Sequence, residues 1–155
     1  MSKFYQLKTE TSIHADISTV WDFFSSPMNL RKITPKKLNF KIKTTLPEKA
    51  HKGLMIGYTV SPILGIPLNW LTEITQLKEN RYFVDEQRIG PYKLWHHEHI
   101  FEVMNEKVVM KDIVTYSLPF GILGRFAHWL FIKKEIESIF SYREKIITEI
   151  FKNTN

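Results

Sequence analysis

The chain has no cysteine. Disulfides, thiolate zinc sites and cysteine nucleophiles are therefore excluded. Neither a P-loop nor a G-x-G-x-x-G fingerprint occurs, and G-x-S-x-G is missing too. Nucleotide cofactors and serine-hydrolase chemistry thus lack support, and no cofactor is expected. No apolar run reaches the ~20 residues of a spanning helix. The most apolar stretch, residues 117–132 (SLPFGILGRFAHWLFI), is interrupted by Arg125 and His128 and holds two glycines and a proline. It reads first as the buried start of a helix, with weak contact at a membrane interface as the second reading. The opening MSKFYQLKTETSIH alternates and carries Lys3, Lys8 and Glu10, unlike a secretory leader. Together with the missing cysteines this suggests a cytoplasmic location. Internal repeats, low-complexity segments and Gly/Ser linkers are also missing, so residues 1–155 read as one domain.

What is present is globular. Hydrophobic residues make up 43% and charged residues 25%, which removes disordered and fibrous classes. The net charge of +6 favours anionic partners in principle. The cations are dispersed, however, and densest at Arg31, Lys32, Lys36, Lys37, Lys41 and Lys43 and at Lys133–Lys134. No nucleic-acid reader motif accompanies them, so nucleic acid is not an expected partner.

Residues 4–13 alternate and predict a strand. Asp16 or Ser18 can cap a helix carrying Val20, Trp21, Phe23 and Phe24 on one face. Pro27 interrupts it, and a second short helix over 28–33 ends before Pro35. From Leu38 the period changes to two. Strands are predicted from Leu38 to about Lys43, then at 55–60, 68–77, 81–89, 94–104 and 108–118, with Gly, Pro, Asn and Glu at the breaks. Residues 122–152 predict one amphipathic helix of about 28 residues, roughly 40 Å long. The order is strand, two short helices, six strands and a long helix. That is an α+β arrangement in which one sheet face must be covered, and only the long helix is large enough.

A two-residue turn at Asn105-Glu106 would pair His99 with Asp112, His97 with Val114 and Trp95 with Tyr116. Side chains alternate along strands, so Trp95, His97, His99, Phe101, Asp112 and Tyr116 share one side. A tight turn at Glu79-Asn80 would add Phe83, Asp85, Gln87 and Ile89, beside Leu68, Trp70, Thr72 and Ile74. The apolar members mark this as the inner side. Six polar groups there (Asp85, Gln87, His97, His99, Asp112, Tyr116) need an explanation, because each would cost roughly 1–3 kcal/mol if buried unpaired. Two explanations stay open and can coexist: a self-satisfied network, or an apolar ligand cavity with a few polar groups. His-x-His with Asp85 or Asp112 is a weak metal pattern, and no metal is expected. Arg143, in the helical stretch between Ile139 and Ile146, either snorkels outward or points in toward a carboxylate.

These residues in this order resemble the START-like, or SRPBCC, superfamily, and within it a small bacterial ligand-binding branch. The opening Ile17-Ser18-Thr19-Val20-Trp21-Asp22-Phe23-Phe24 carries the likeness, with Pro27, Asn29-Leu30 and Ile33-Thr34-Pro35. So do Gly57-Tyr58, Trp70 with Thr72-Glu73-Ile74, Phe83 to Gln87, Gly90-Pro91-Tyr92 and Trp95 to His99. Asp112, Tyr116, Leu118 to Gly121 and Ile139 to Arg143 complete it over nearly the whole chain. The resemblance implies the helix-grip fold: a curved antiparallel sheet of about seven strands wrapped around a long C-terminal helix, with two short helices after the first strand. It also implies an apolar cavity between sheet and helix, and partners that are apolar small molecules or lipids. The expected lining is Trp70, Thr72, Phe83, Asp85, Gln87, Gly90-Pro91-Tyr92, Trp95, His97, His99, Phe101, Asp112, Tyr116 and Arg143. Some relatives are cyclases or dehydratases. In such an enzyme His97 or His99 would be the base, Asp112 would orient it, and Tyr116 would be the acid. Binding without catalysis is the first expectation, in a monomer or homodimer.

Overall fold

A computed structural model describes residues 3–63 and 65–152. β1 (Phe4–Ile13) leads into α1 (Ile17–Ser25), then into two 3₁₀ turns, Pro27–Arg31 and Lys36–Leu38. The strands β2 (Lys41–Ile42), β3 (Met55–Ile63), β4 (Ile66–Lys78), β5 (Tyr82–Ile89), β6 (Leu94–Met104) and β7 (Lys107–Ser117) follow. α2 (Gly121–Ala127) passes through a π-helical turn, His128–Ile132, into α3 (Lys133–Lys152). The seven strands form one antiparallel sheet in the order β1-β7-β6-β5-β4-β3-β2. The first and last strands are therefore neighbours, and everything between is a meander.

Local chemistry explains the starts and turns. Asp16 caps α1: its carboxylate accepts from the Thr19 amide at 3.0 Å and from the Thr19 hydroxyl at 2.6 Å. That satisfies a donor the helix leaves orphaned. Asn105 and Glu106 both have positive φ, +48° and +63°, as a two-residue hairpin between twisted strands requires. The β6–β7 register follows: His99 stands opposite Asp112, His97 opposite Val114 and Trp95 opposite Tyr116.

Three expectations need correction. Alternation from Leu38 suggested a six-residue strand, but only Lys41–Ile42 pair. Asn39 takes a left-handed conformation (φ +46°) that ends the preceding 3₁₀ turn and buries Leu38 beneath it. The second short helix is a 3₁₀ turn over Pro27–Arg31, beginning earlier than expected because proline suits a first helical position. Ile89 is not on the inner side. The β4–β5 ladder has two register shifts, with Ile74 opposite Asp85, Thr72 opposite Gln87, but Leu71 opposite Ile89. The bulge re-aims the strand end and leaves Ile89 exposed.

The covered face carries three apolar clusters. α1 contributes Val20, Trp21 and Phe24, which pack with Ile13, Phe101, Val108 and Met110 of the sheet and with Ile147 and Phe151 of α3. A second cluster joins Val114 and Tyr116 to Ile136 and Phe140, and a third joins Leu54, Ile56 and Ile74. Each large side chain removed from water contributes roughly 1.5–3 kcal/mol. The buried positions of α3, Ile136, Phe140, Ile147 and Phe151, recur at helical spacing and form the stripe that the sheet grips.

Candidate functional site

The first and third clusters meet through the half-buried Leu77 and Phe83, and a hollow lies among all three. Phe24 and Ile33 of the first, Ile136 and Phe140 of the second, and Ile56 and Ile74 of the third all border one hollow of about 210 Å³. Its sheet wall includes Trp70, Thr72, Phe83, Asp85, Trp95, His97 and His99, and its helix wall includes Ile139, Phe140 and Arg143. A second hollow of about 170 Å³ adjoins it, sharing Pro62, Tyr92, Ile136 and Ile139 and reaching Phe120, Gly124 and Phe131.

The polar floor is a ring of two histidines and two aspartates. His97 donates from Nε2 to Asp112 Oδ1 at 2.7 Å, and His99 donates from Nε2 to Asp85 Oδ2 at 2.7 Å. Carboxylates only accept, so both Nε2 atoms carry hydrogens. The crossed contacts are weaker. His97 Nδ1 lies 3.4 Å from Asp85 Oδ2. His99 Nδ1 lies 3.0 Å from Asp112 Oδ1, but its direction is too poor for a hydrogen bond. The imidazoles face each other with centroids 3.7 Å apart, and Phe83 stacks on His99 at 4.0 Å. Period-two alternation on adjacent strands produces this ring. Asp85, His97 and His99 point inward from β5 and β6, and Asp112 rises beneath them from β7.

Burial and mutual charge set the protonation. Burial pushes the Asp85 carboxyl up, but His97, His99 and Arg143 outweigh it, and the net displacement is downward. Asp112 behaves likewise and ends well below the usual carboxylate range. Burial and the neighbouring His99 hold His97 below the ordinary imidazole value, despite both aspartates. Burial also depresses His99, but contacts with Asp112 and Asp85 overcome it and the net shift is upward. Near neutral pH the ring therefore holds two carboxylates and a neutral His97, while His99 keeps its proton more readily than an ordinary imidazole, and the four groups titrate as a coupled set. Arg143 balances the remaining negative charge, reaching in from α3 with its guanidinium carbon 5.3 Å from the Phe140 ring centroid.

Besides His99 Nδ1, two N–H donors in this wall are unpaired. Trp70 Nε1 and Arg143 Nε are buried and make no hydrogen bond with the described residues. Around Trp70 the lining is aromatic: Tyr58, Tyr92 and Trp95 have ring centroids 5.4–5.9 Å from it. Tyr58 Oη and Thr72 Oγ1 lie 3.3 Å apart, and burial pushes the Tyr58 phenol well above its ordinary range.

Of the sequence candidates, Trp70, Thr72, Phe83, Asp85, Tyr92, Trp95, His97, His99 and Arg143 border the main hollow. Asp112 is one layer behind, under the histidines. Phe101 packs in the α1 cluster. Gln87 latches the β5–β6 turn, donating to the Tyr92 carbonyl at 2.7 Å and accepting from the Tyr92 amide at 3.2 Å. Tyr116 is hydrogen-bonded to His128 at 2.8 Å, away from His97 and His99. Burial and Tyr5 push the Tyr116 phenol up to about 12. Phe23 and Phe24, from the apolar face of α1, also border the hollow. Sequence reasoning missed Phe40, Ile136 and Phe140 as lining. The signal for Ile136 and Phe140 lay in the inward stripe of α3, whereas Phe40 precedes β2 and meets the Tyr58 ring, at 4.9 Å between centroids, through a tertiary contact. Asp85, His97 and His99 also offer ligand atoms within 4.8 Å of one another, so a cation could bind there in place of the ring protons.

No family model matches the sequence, and no curated protein matches it closely. Solved structures do match. Protein Ms6760 from Mycobacterium smegmatis superposes with a TM-score of 0.70 at 14% identity, over 97% of this chain and 92% of that one. Major latex-like protein 151 from Panax ginseng gives 0.70 at 14%, over 96% and 97%. TTHA0849 from Thermus thermophilus gives 0.65 at 18%, over 92% and 97%. The fold is the helix grip. At these identities the likeness concerns architecture alone. Within the described residues, no helix is long and apolar enough to cross a membrane.

Proposed function

We propose that the protein is a START-like ligand-binding domain over residues 1–155. It holds an apolar small molecule or lipid between the curved sheet and α3. The observation that carries this reading is the pair of unpaired donors, Trp70 Nε1 and Arg143 Nε, in an otherwise aromatic hollow. An unsatisfied buried donor costs roughly 1–3 kcal/mol, and a ligand oxygen would remove that cost. Apolar burial of the rest of the ligand would supply affinity at ~25 cal/mol per Å², less the cost of association. The ligand class is therefore an amphiphile with an acceptor, such as a carboxylate, carbonyl or hydroxyl, at the Arg143 end. A cytoplasmic location accords with the lack of cysteine.

Native mass spectrometry of protein isolated from its own host, followed by solvent extraction, tests the reading. A stoichiometric apolar adduct that Thr72→Trp expels is the expected result. A bare chain mass, or an adduct the filled variant keeps, overturns it.

A cyclase- or dehydratase-type reaction is the second reading, favoured by the neutral His97. Its Nε2–H is committed to Asp112, which leaves the Nδ1 lone pair as a base. Tyr116 is tied to His128, so the acid in this version is His99. A pH–rate profile on the extracted compound that is unchanged in His97→Gln would dismiss it.

A further inference from the structure

The first part of the C-terminal helix is inverted. Gly124 and His128 form its buried side. Ile122, Leu123, Phe126, Trp129 and Leu130 lie on the opposite side, each more than half exposed. Phe120, 81% exposed, precedes them with a left-handed φ of +65° that bulky residues seldom adopt. Phe4 and Leu94, both exposed, stand opposite Ser117 at this same end of the sheet. Monomeric proteins seldom leave so much contiguous apolar surface without a partner.

Charge indicates which partner. No acidic residue falls between Asp112 and Glu135, whereas Arg125, Lys133 and Lys134 do. An apolar face with tryptophan and phenylalanine, flanked by Arg125, Lys133 and Lys134, with the first acid pairing to Lys133 only at Glu137, has the chemistry of an in-plane interfacial helix. A second copy of the chain fits poorly. A two-fold contact through this face would bring the same cations together. Beneath the helix lies the second hollow, which adjoins the main one.

We propose that residues 120–134 dock the protein on an anionic lipid bilayer, in the plane of its surface. Phe126 and Trp129 sit at the boundary between headgroups and chains, and Arg125, Lys133 and Lys134 face the phosphates. This inference does not depend on what fills the cavity.

Flotation with vesicles of phosphatidylcholine, alone or mixed with phosphatidylglycerol, tests it on the full chain. Binding is expected on the mixed vesicles and should weaken with salt. Each cation removed by Lys133→Gln or Lys134→Gln should lower partitioning roughly fivefold. The tryptophan emission should shift to the blue on binding, and Trp129→Phe should lose that shift. Leu123→Ser/Phe126→Ser/Trp129→Ser, with an unchanged circular dichroism spectrum, should not float. Three results overturn the proposal: no flotation at low salt, equal flotation of the triple variant, or a wild-type dimer in sedimentation equilibrium that the triple variant dissolves. The last would make the face a contact between copies.

Discussion

The two ends of the C-terminal helix obey opposite rules. In α3 the apolar residues Ile136, Phe140, Ile147 and Phe151 are buried against the sheet, while Glu137, Ser141, Glu144 and Glu149 face solvent. In α2 and the π-helical turn the buried residues are a glycine and a histidine, and the exposed ones are aliphatic and aromatic. Gly124 explains part of this. A Cβ there would lie 2.1 Å from the Pro119 carbonyl oxygen, so the helix start approaches the preceding chain too closely for any larger residue. The close approach sets glycine, not an apolar side chain, at that contact. Amphipathicity alone says that a helix has an apolar face. It does not say whether that face meets the protein.

The comparison breaks most sharply where α3 meets the buried charges. Asp112→Asn should destabilise the fold by about 3–5 kcal/mol, because Arg143 and the two histidines would lose the anion they face in the interior. Denaturant titration with an unchanged m-value measures it. Ile147→Ala comes next. Ile147 is 1% exposed between α1 and the sheet, and truncation with a residual cavity should cost about 2–5 kcal/mol. A loss under ~1 kcal/mol for either variant would mean that the α3 half is gripped less firmly than its burial implies.

The histidine ring sharpens the contrast through pH. His99 has a raised folded value, so its contribution is fully present below about pH 6.5, the ordinary imidazole value, and is lost as pH climbs from there through the raised folded value. His97 has a lowered value. Below about pH 6.5 the unfolded chain takes up a proton that the fold refuses, and stability falls as pH falls. Thermal stability should therefore peak near pH 6.5. His99→Gln should flatten the alkaline limb. His97→Gln should flatten only part of the acid limb. His128, lowered by burial and by Lys133, contributes to the acid limb too, and so do Asp85 and Asp112 at lower pH. Melting curves across the range would decide, and an alkaline limb unchanged in His99→Gln would remove His99 as its source.

Much of this was legible in the sequence where a rule has one solution. Asn105-Glu106 permits a two-residue hairpin, and that single turn placed His97, His99, Asp112 and Tyr116 on one face. Period-two reading cannot see a bulge, so it carried Ile89 inward along with Gln87. A shared strand face is also not a shared site. Tyr116 and His97 both point inward from neighbouring strands, yet His128 arrives from the helix and takes the Tyr116 hydroxyl. That helix contact is tertiary, and no spacing in the strands encodes it. The stretch between Ile139 and Ile146 left Arg143 open to snorkel outward or to point in, and the structure places it in the wall of the hollow. The orphaned state of its Nε was not legible, because satisfaction depends on every atom around it.

The smallest expected effect is the most informative about the helix start. Phe126→Ser removes a large aromatic side chain, yet the residue is 58% exposed and belongs to none of the three buried clusters. Surface substitutions away from special features usually change stability by no more than about 0.5 kcal/mol, and that is the expectation here. The same kind of change at Phe140 on α3 should cost several times more. Urea titrations of the two variants, run side by side, measure the ratio. Near-equal losses would mean that the α2 face is covered in solution, and the inverted helix would then be part of an unrecognised core. A neutral Phe126→Ser would leave that face to something outside the folded chain.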